Sequence, residues 1–146
     1  MWQSRAGTGV LVVRDERVLM VCRERLGKMR WELPSGLVEG SETFEEAAQR
    51  EAFEETGIQV AIGDLLCTVV IDEPTEHYRS INVYFHAAVL SQAEPAVHVT
   101  DEPISEVRFV DLASLPARKI HPVDRRILRP WQRRPDRPPY HLHIAL

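Results

Sequence analysis

Seven glutamates fall within residues 36–58 of this 146-residue chain: Glu39, Glu42, Glu45, Glu46, Glu51, Glu54 and Glu55, with Arg50 the only base among them. The residue pattern predicts a helix from about Thr43 to Thr56, which turns about 100° per residue. With Phe44 at 0°, Ala47 and Ala48 fall at about −60° and 40°, on the apolar side. Glu51 and Glu55 fall at about −20° and 20°, in the middle of that side, and Glu54 at about −80°, near its edge. Gln49, Arg50, Glu45 and Glu46 occupy the polar arc. Two carboxylates four residues apart thus point where packing predicts Leu or Ile.

Adjacent carboxylates turned toward a partly buried surface repel each other and resist desolvation. They need protonation, basic partners or a cation. Arg50 stands at i±4 from Glu46 and Glu54, but its direction is wrong to neutralise Glu51 and Glu55 together. A divalent cation takes oxygen ligands, and Mg²⁺ binds a few carboxylates, keeps water and completes its octahedron from substrate phosphates. The plainer alternative is an acidic helix whose glutamates reach out to water. The angular placement weighs against it.

The elements that position this cluster are legible as a mixed α/β pattern. Ala6 to Val13 and Val18 to Cys22 read as strands joined by the turn Asp15-Glu16-Arg17. Arg23 to Arg30 reads as a polar, basic loop, and Trp31-Glu32-Leu33 as a short strand ended by Pro34-Ser35-Gly36. Thr43 and Glu46 have capping-box spacing, and Gly57 is the expected helix stop. Ile58 to Asp72, Ile81 to Leu90 and Val107 to Val110 read as further strands. A second helix is expected between Pro122 and Arg129, ended by the Pro-rich stretch from Pro130 to Pro139. His141 to Ile144 alternates like an edge strand.

The length suits one domain: a core over residues 1–120 and a C-terminal helix with a basic, Pro-rich tail over 121–146, packed on the same body. The net charge of −4 divides unevenly, with ten Lys/Arg against twenty Asp/Glu in residues 1–117 and eight against two in residues 118–146. No stretch approaches about 20 consecutive apolar residues, so no transmembrane helix is expected. Cys22 and Cys67 match neither a CxxC pair nor a disulfide framework. Without a signal-peptide pattern, the cytoplasm is the expected compartment.

Gly36, five residues, Glu42, seven residues, then Arg50-Glu51-Ala52-Phe53-Glu54-Glu55-Thr56-Gly57-Ile58 resembles the Nudix box, GX5EX7REUXEEXGU, at every fixed position. Ala52 is a mild departure at the first bulky-aliphatic position, and Ser35 stands where Gly is more frequent. The resemblance, of the MutT-like kind, implies an α/β/α sandwich with a mixed sheet. It implies hydrolysis of a nucleoside diphosphate linked to another moiety, with Mg²⁺ or Mn²⁺. Carried over by position, Glu51, Glu54, Glu55 and the Gly36 carbonyl would hold metal, Arg50 would orient the glutamates, and Glu42 would be structural. The general base would be Glu51 or Glu54, or a loop carboxylate among Asp101, Glu102 and Glu106, with Glu102 preferred.

The expected substrate is a small nucleotide such as ADP-ribose or a (d)NTP. Arg23 and Arg25 are the expected phosphate donors. Tyr78 is the better candidate to stack a base, ahead of Trp31, while Phe85 reads as core. The alternatives are a pyrophosphohydrolase of RNA 5′ ends and a nucleotide-binding Nudix module without catalysis. The tail Arg125 to Arg134 interleaves Arg with Trp131; docking through Ile127, Leu128 and Trp131 is preferred there to a nucleic-acid contact. It would also allow an acidic–basic contact in a homodimer.

Overall fold

The computed structural model describes residues 1–97 and 103–146. Its first hairpin joins β1 (Gln3–Arg14) to β2 (Arg17–Arg25) through Asp15 and Glu16, both at positive φ. Two central residues at positive φ match the right-handed twist of the flanking strands. The basic segment after Cys22 is not a loop. β2 runs on to Arg25, and Leu26 (φ 51°) and Gly27 (φ 79°) turn the chain into β3 (Lys28–Glu32). Leu at positive φ is an unfavourable turn residue, so local chemistry gave no hairpin signal; pairing of Cys22 with Trp31 and Arg25 with Lys28 holds it.

A short β4 (Ser35–Leu37) leads to α1 (Phe44–Thr56), followed by β5 (Val60–Glu73), β6 (Tyr78–Val89), β7 (Ile104–Val110), α2 (Pro122–Arg133) and β8 (Tyr140–Ala145). The strand path is β3-β2-β1-β6-β5-β8, with β4 on β1 and β7 on β2. β1 pairs parallel to β6, and β5 parallel to β8; the other pairings are antiparallel, so the sheet is mixed. β8 is an edge strand, as its alternation predicts.

Strand alternation splits the core into two layers. On β1, Val10 and Val12 join Ala48 and Ala52 of α1, while Leu11 joins Ile127 and Leu128 of α2 on the opposite face. The result is the expected α/β/α sandwich. Both halves of the capping box form: the Glu46 N–H donates to Thr43 Oγ1, and the Thr43 N–H donates to Glu46 Oε1. Gly57 closes the helix at φ 72° and donates its N–H to the Phe53 carbonyl. The small residues Ala47, Ala48 and Ala52, all buried, let α1 lie close to the sheet.

The second helix corrects its expected end. Pro130 lies inside α2, which continues to Arg133, with the Arg134 N–H donating to the Pro130 carbonyl. Proline gives up its own N–H bond and crowds the carbonyl one turn back, and burial of Ile127 and Leu128 on one face outweighs that cost. Trp131 packs half-buried against the same core, and β8 contributes Ile144. Among the described residues no helix is long and apolar enough to cross a membrane.

Candidate active site

The helix angles hold in three dimensions. Glu55 is 2% exposed and Glu51 is largely covered, while Glu54 sits at the rim. Glu55 is held from two sides: Arg23 Nη2 donates to its Oε2 at 2.7 Å and the Ser35 N–H to its Oε1 at 3.1 Å. Burial raises its pKa to about 7 against the opposing pull of Arg23. The same contact engages Arg23, expected as a phosphate donor, which also lines a cleft beside Gly36 and Glu51. Arg23 is on β2 with its side chain 1% exposed, between Glu55 and Glu32. Period-two alternation turns it inward, which a loop reading could not show.

Arg50 gathers four carboxylates. Its Nε donates to Glu42 at 2.7 Å, its Nη1 to Glu51 at 2.8 Å and Glu54 at 3.2 Å, and Glu39 lies 3.9 Å away. Its partner is not Glu46, which is spent on the helix cap. Residues at i and i+1 ordinarily diverge on a helix. The long Arg50 side chain meets Glu51 because it bends toward the loop before α1, where Nη2 also donates to the Leu37 carbonyl. Glu42 is structural as expected: it takes Arg50 and accepts the Glu39 N–H. Arg50 holds the Glu42 pKa down, whereas burial raises that of Glu51.

Gly36 faces this cluster. A Cβ there would fall 2.2 Å from the Glu51 carboxyl carbon, so only glycine admits the glutamate so close to the backbone. Among the described residues no three acidic, histidine or cysteine side chains converge as around a bound ion. Yet one guanidinium among four carboxylates leaves three formal negative charges uncompensated, a donor set suited to a hard cation with oxygen ligands. The residues fit a divalent metal.

Glu51, Glu39 and Gly36 line a cleft of about 360 Å³ together with Arg5, Arg23 and Arg25. Carboxylates and guanidiniums thus share one cleft, a combination suited to a cation and a phosphate. This cleft shares Arg25, Ser35, Asn82 and Tyr84 with a wider one of about 760 Å³, reaching Tyr78, Glu32 and Asp124. Arg25 is half-exposed and pairs with Glu32 at 2.7 Å. Tyr78 does line the wider cleft, with the Arg5 guanidinium 5.3 Å above its ring. Trp31 does not offer a stacking face: it is buried in the core, under Arg108 at 4.9 Å. Phe85 is core, as expected. Asp101 and Glu102 lie outside the described residues; Glu106 is on β7, paired with Arg108.

Sequence reasoning missed Arg5, Glu32, Asn82, Tyr84 and Asp124. Glu32 stands on β3 just before residues 36–58, the other four come from elements remote in sequence, and none carries a local signature. Asp124 is almost fully buried at the start of α2, where its Oδ1 accepts the Leu33 N–H at 2.9 Å. Burial, with the nearby Glu32 charge, raises its pKa from 3.8 to about 8. The neutral form therefore favours the fold. That stabilisation is complete below the unfolded pKa and is lost as pH rises through about 8. Asp124→Asn, which keeps the acceptor for Leu33, is expected to flatten this loss. Urea midpoints at pH 5 and pH 9 check it; an equal drop in wild type and variant contradicts the assignment.

The fold and the loop–helix cluster define a class: an α/β/α sandwich presenting glutamates to a phosphate-sized cleft. The chain matches the NUDIX domain family over residues 3–131. It is 31% identical to a MutT Nudix hydrolase from Burkholderia pseudomallei, with 87% of this chain and 97% of that one covered and a TM-score of 0.75. A Nudix hydrolase from Nitrosomonas europaea superposes on 100% of this chain and 82% of its own, at TM-score 0.81 and 24% identity, which speaks to fold alone. Over 71 residues, 47% of this chain and 63% of the relative, it is 49% identical to an 8-oxo-dGTP diphosphatase from Proteus vulgaris. Its match to a MutT-like protein from Streptomyces ambofaciens is 46% identical over 57 residues, 39% of this chain and only 36% of that protein. The chain belongs to the NUDIX domain family and is MutT-like in sequence; it spans from 36% to 63% of the length of the curated relatives it matches.

Proposed function

We propose that this protein cleaves a phosphoanhydride bond in a small nucleotide, a (d)NTP or ADP-ribose, by attack of water on phosphorus. The observation that carries this reading is the cleft lined by Glu51 and Gly36 together with Arg5 and Arg25. Similarity to an 8-oxo-dGTP diphosphatase favours a triphosphate.

Glu51, Glu54 and Glu55, with the Gly36 carbonyl, would hold Mg²⁺ or Mn²⁺. When bound, the ion neutralises phosphate charge and lowers the pKa of coordinated water. Arg50 fixes the orientation of Glu51 and Glu54, and Arg23 fixes Glu55 beneath the Ser35 N–H. Where Glu51, which faces the cleft, accepts the water proton, Glu54 and Glu55 hold the ion. Glu102 is the alternative base. Arg25 and Arg5 bind the phosphates. The nucleoside occupies the wider cleft, where Tyr78 offers a ring and the neutral Asp124 carboxyl a hydrogen-bonding group in the wall. Residues 121–146 are read as part of the same domain as 1–120, a reading supported by the packing of α2 and β8 in one core cluster with β1 and β2.

Phosphate and pyrophosphate release, with Mg²⁺ or Mn²⁺, across 8-oxo-dGTP, dGTP, ADP-ribose, NADH and 5′-triphosphorylated RNA tests the reading. At least one small nucleotide should turn over and stop on chelation. Binding without turnover of any of them would instead make this a nucleotide-binding module.

A further inference from the structure

β6 carries a polar track along the two clefts. Tyr78, Ser80, Asn82 and Tyr84 stand at alternate positions, so they share one face of the strand. All four line the wider cleft, and Asn82 and Tyr84 also line the narrower one beside Gly36 and Glu51. β1 makes room for them. Gly7 and Gly9 pair in register with Asn82 and Tyr84. A Cβ on Gly7 would fall 2.2 Å from Asn82 Oδ1, and one on Gly9 2.3 Å from the Tyr84 ring, so both side chains lie across the bare backbone of the neighbouring strand.

The Asn82 carboxamide has a fixed direction. Its Nδ2 donates to the Val69 carbonyl at 3.1 Å and to Ser80 Oγ at 2.9 Å. A carbonyl only accepts, so the amide nitrogen must face Val69, and Oδ1 turns the other way, over Gly7. Among the described residues no group donates to Oδ1. The Ser80 hydroxyl accepts from Nδ2 and keeps its own hydrogen to give. One face of β6 thus offers an unused acceptor beside an unused donor, the complement of hydroxyl groups, which donate and accept at once.

We propose that Asn82, seconded by Ser80, reads a hydroxyl of the substrate's sugar and so sets which nucleotides the site accepts. The assignment rests on the reading of the clefts as a nucleotide site, with phosphates in the narrower one and the nucleoside in the wider. Asn82 lies where the two join, and the sugar is the part of a nucleotide that joins phosphate to base. A sugar hydroxyl donates to Asn82 Oδ1, and a sugar oxygen accepts from the Ser80 hydroxyl. A ligand without that hydroxyl covers Oδ1 from water and leaves it unpaired. Sites built to bond a hydroxyl reject the analogue that lacks it for this reason.

Equilibrium binding of 5′-monophosphates in the presence of Mg²⁺ tests this without turnover. Guanosine and adenosine 5′-monophosphates are each compared with their 2′-deoxy and 2′,3′-dideoxy forms. With the base it prefers, wild type is expected to lose about tenfold in affinity at one of the two steps. A drop at the first assigns the contact to the 2′-hydroxyl, and a drop at the second to the 3′-hydroxyl. Asn82→Ala should bring the three sugars within about twofold of one another. Gly7→Ala should do the same with Asn82 still in place, because the new Cβ takes the space of Oδ1. Gly7 lies within β1 and outside the positive-φ region, so alanine adds no backbone strain there. Ser80→Ala should remove part of the difference. A merely structural fault weakens all three sugars alike, so the ratio of affinities is the readout. Equal affinity for the three sugars in wild type, or a difference that survives Asn82→Ala or Gly7→Ala, overturns the assignment and leaves the nucleotide reading standing. Absence of binding by every monophosphate overturns the nucleotide reading, and the assignment with it.

Discussion

Glu54→Gln and Glu51→Gln are each expected to lower kcat by about 10²–10⁴-fold while leaving the protein folded. Glu51 lines the cleft, and it and Glu54 both accept a hydrogen bond from the same Arg50 Nη1. Glutamine preserves size and one carbonyl acceptor but removes the charge that a divalent cation requires. The loss should therefore appear in kcat, with apparent metal affinity falling alongside it. Glu46→Gln is the matched control, since it removes a charge from the same helix but from its N-terminal cap. The control should keep full turnover and lose at most about 1 kcal/mol of stability. Steady-state kinetics over a Mg²⁺ titration, with circular dichroism to verify folding, measures both. Wild-type turnover in Glu51→Gln and Glu54→Gln together would remove these residues from the catalytic machinery.

The second large effect is on stability. Arg23 and Glu55, 1% and 2% exposed, form an ion pair at 2.7 Å beneath the loop that presents Gly36. Removing one partner of a buried pair strands the other charge, at a cost of about 3–5 kcal/mol. Arg23→Met is expected to lower unfolding free energy by about that amount. Glu55 can escape part of the penalty by protonation, because burial has already raised its pKa to about 7. Arg23→Met/Glu55→Leu should recover much of the lost stability without recovering turnover. Urea unfolding and kinetics on the same preparations separate the possibilities. If Arg23 were only a phosphate ligand, Arg23→Met would raise KM and leave the urea midpoint where it was.

These two expectations differ in how far they were readable beforehand. Angular spacing alone placed Glu51 and Glu55 on the inward face of α1, and the capping box and Gly57 bounded that helix. Such features are local: they depend on φ, ψ and side chains within a few residues of each other. The hairpin that carries Arg23 was not local in this sense. Its Leu26-Gly27 turn lacks the usual Asn or Asp, and its strands are held by pairing across the sheet. Read as a loop, the segment offers Arg23 to solvent; paired as β2 and β3, it buries Arg23 against Glu55. Pro130 misled for a related reason, because burial of Ile127 and Leu128 overrides a single missing hydrogen bond.

The sequence by itself determined the family, the catalytic-type helix and the inward direction of its glutamates, since seven fixed positions and a helical period are contained within residues 36–58. Only the tertiary structure decided which cations meet those glutamates, and what else lines the cleft. Arg5, Asn82, Tyr84 and Asp124 come from β1, β6 and α2, and sheet register and helix docking bring them together. The charges along the chain are fixed by the sequence, but their partners are set by distance and burial after folding.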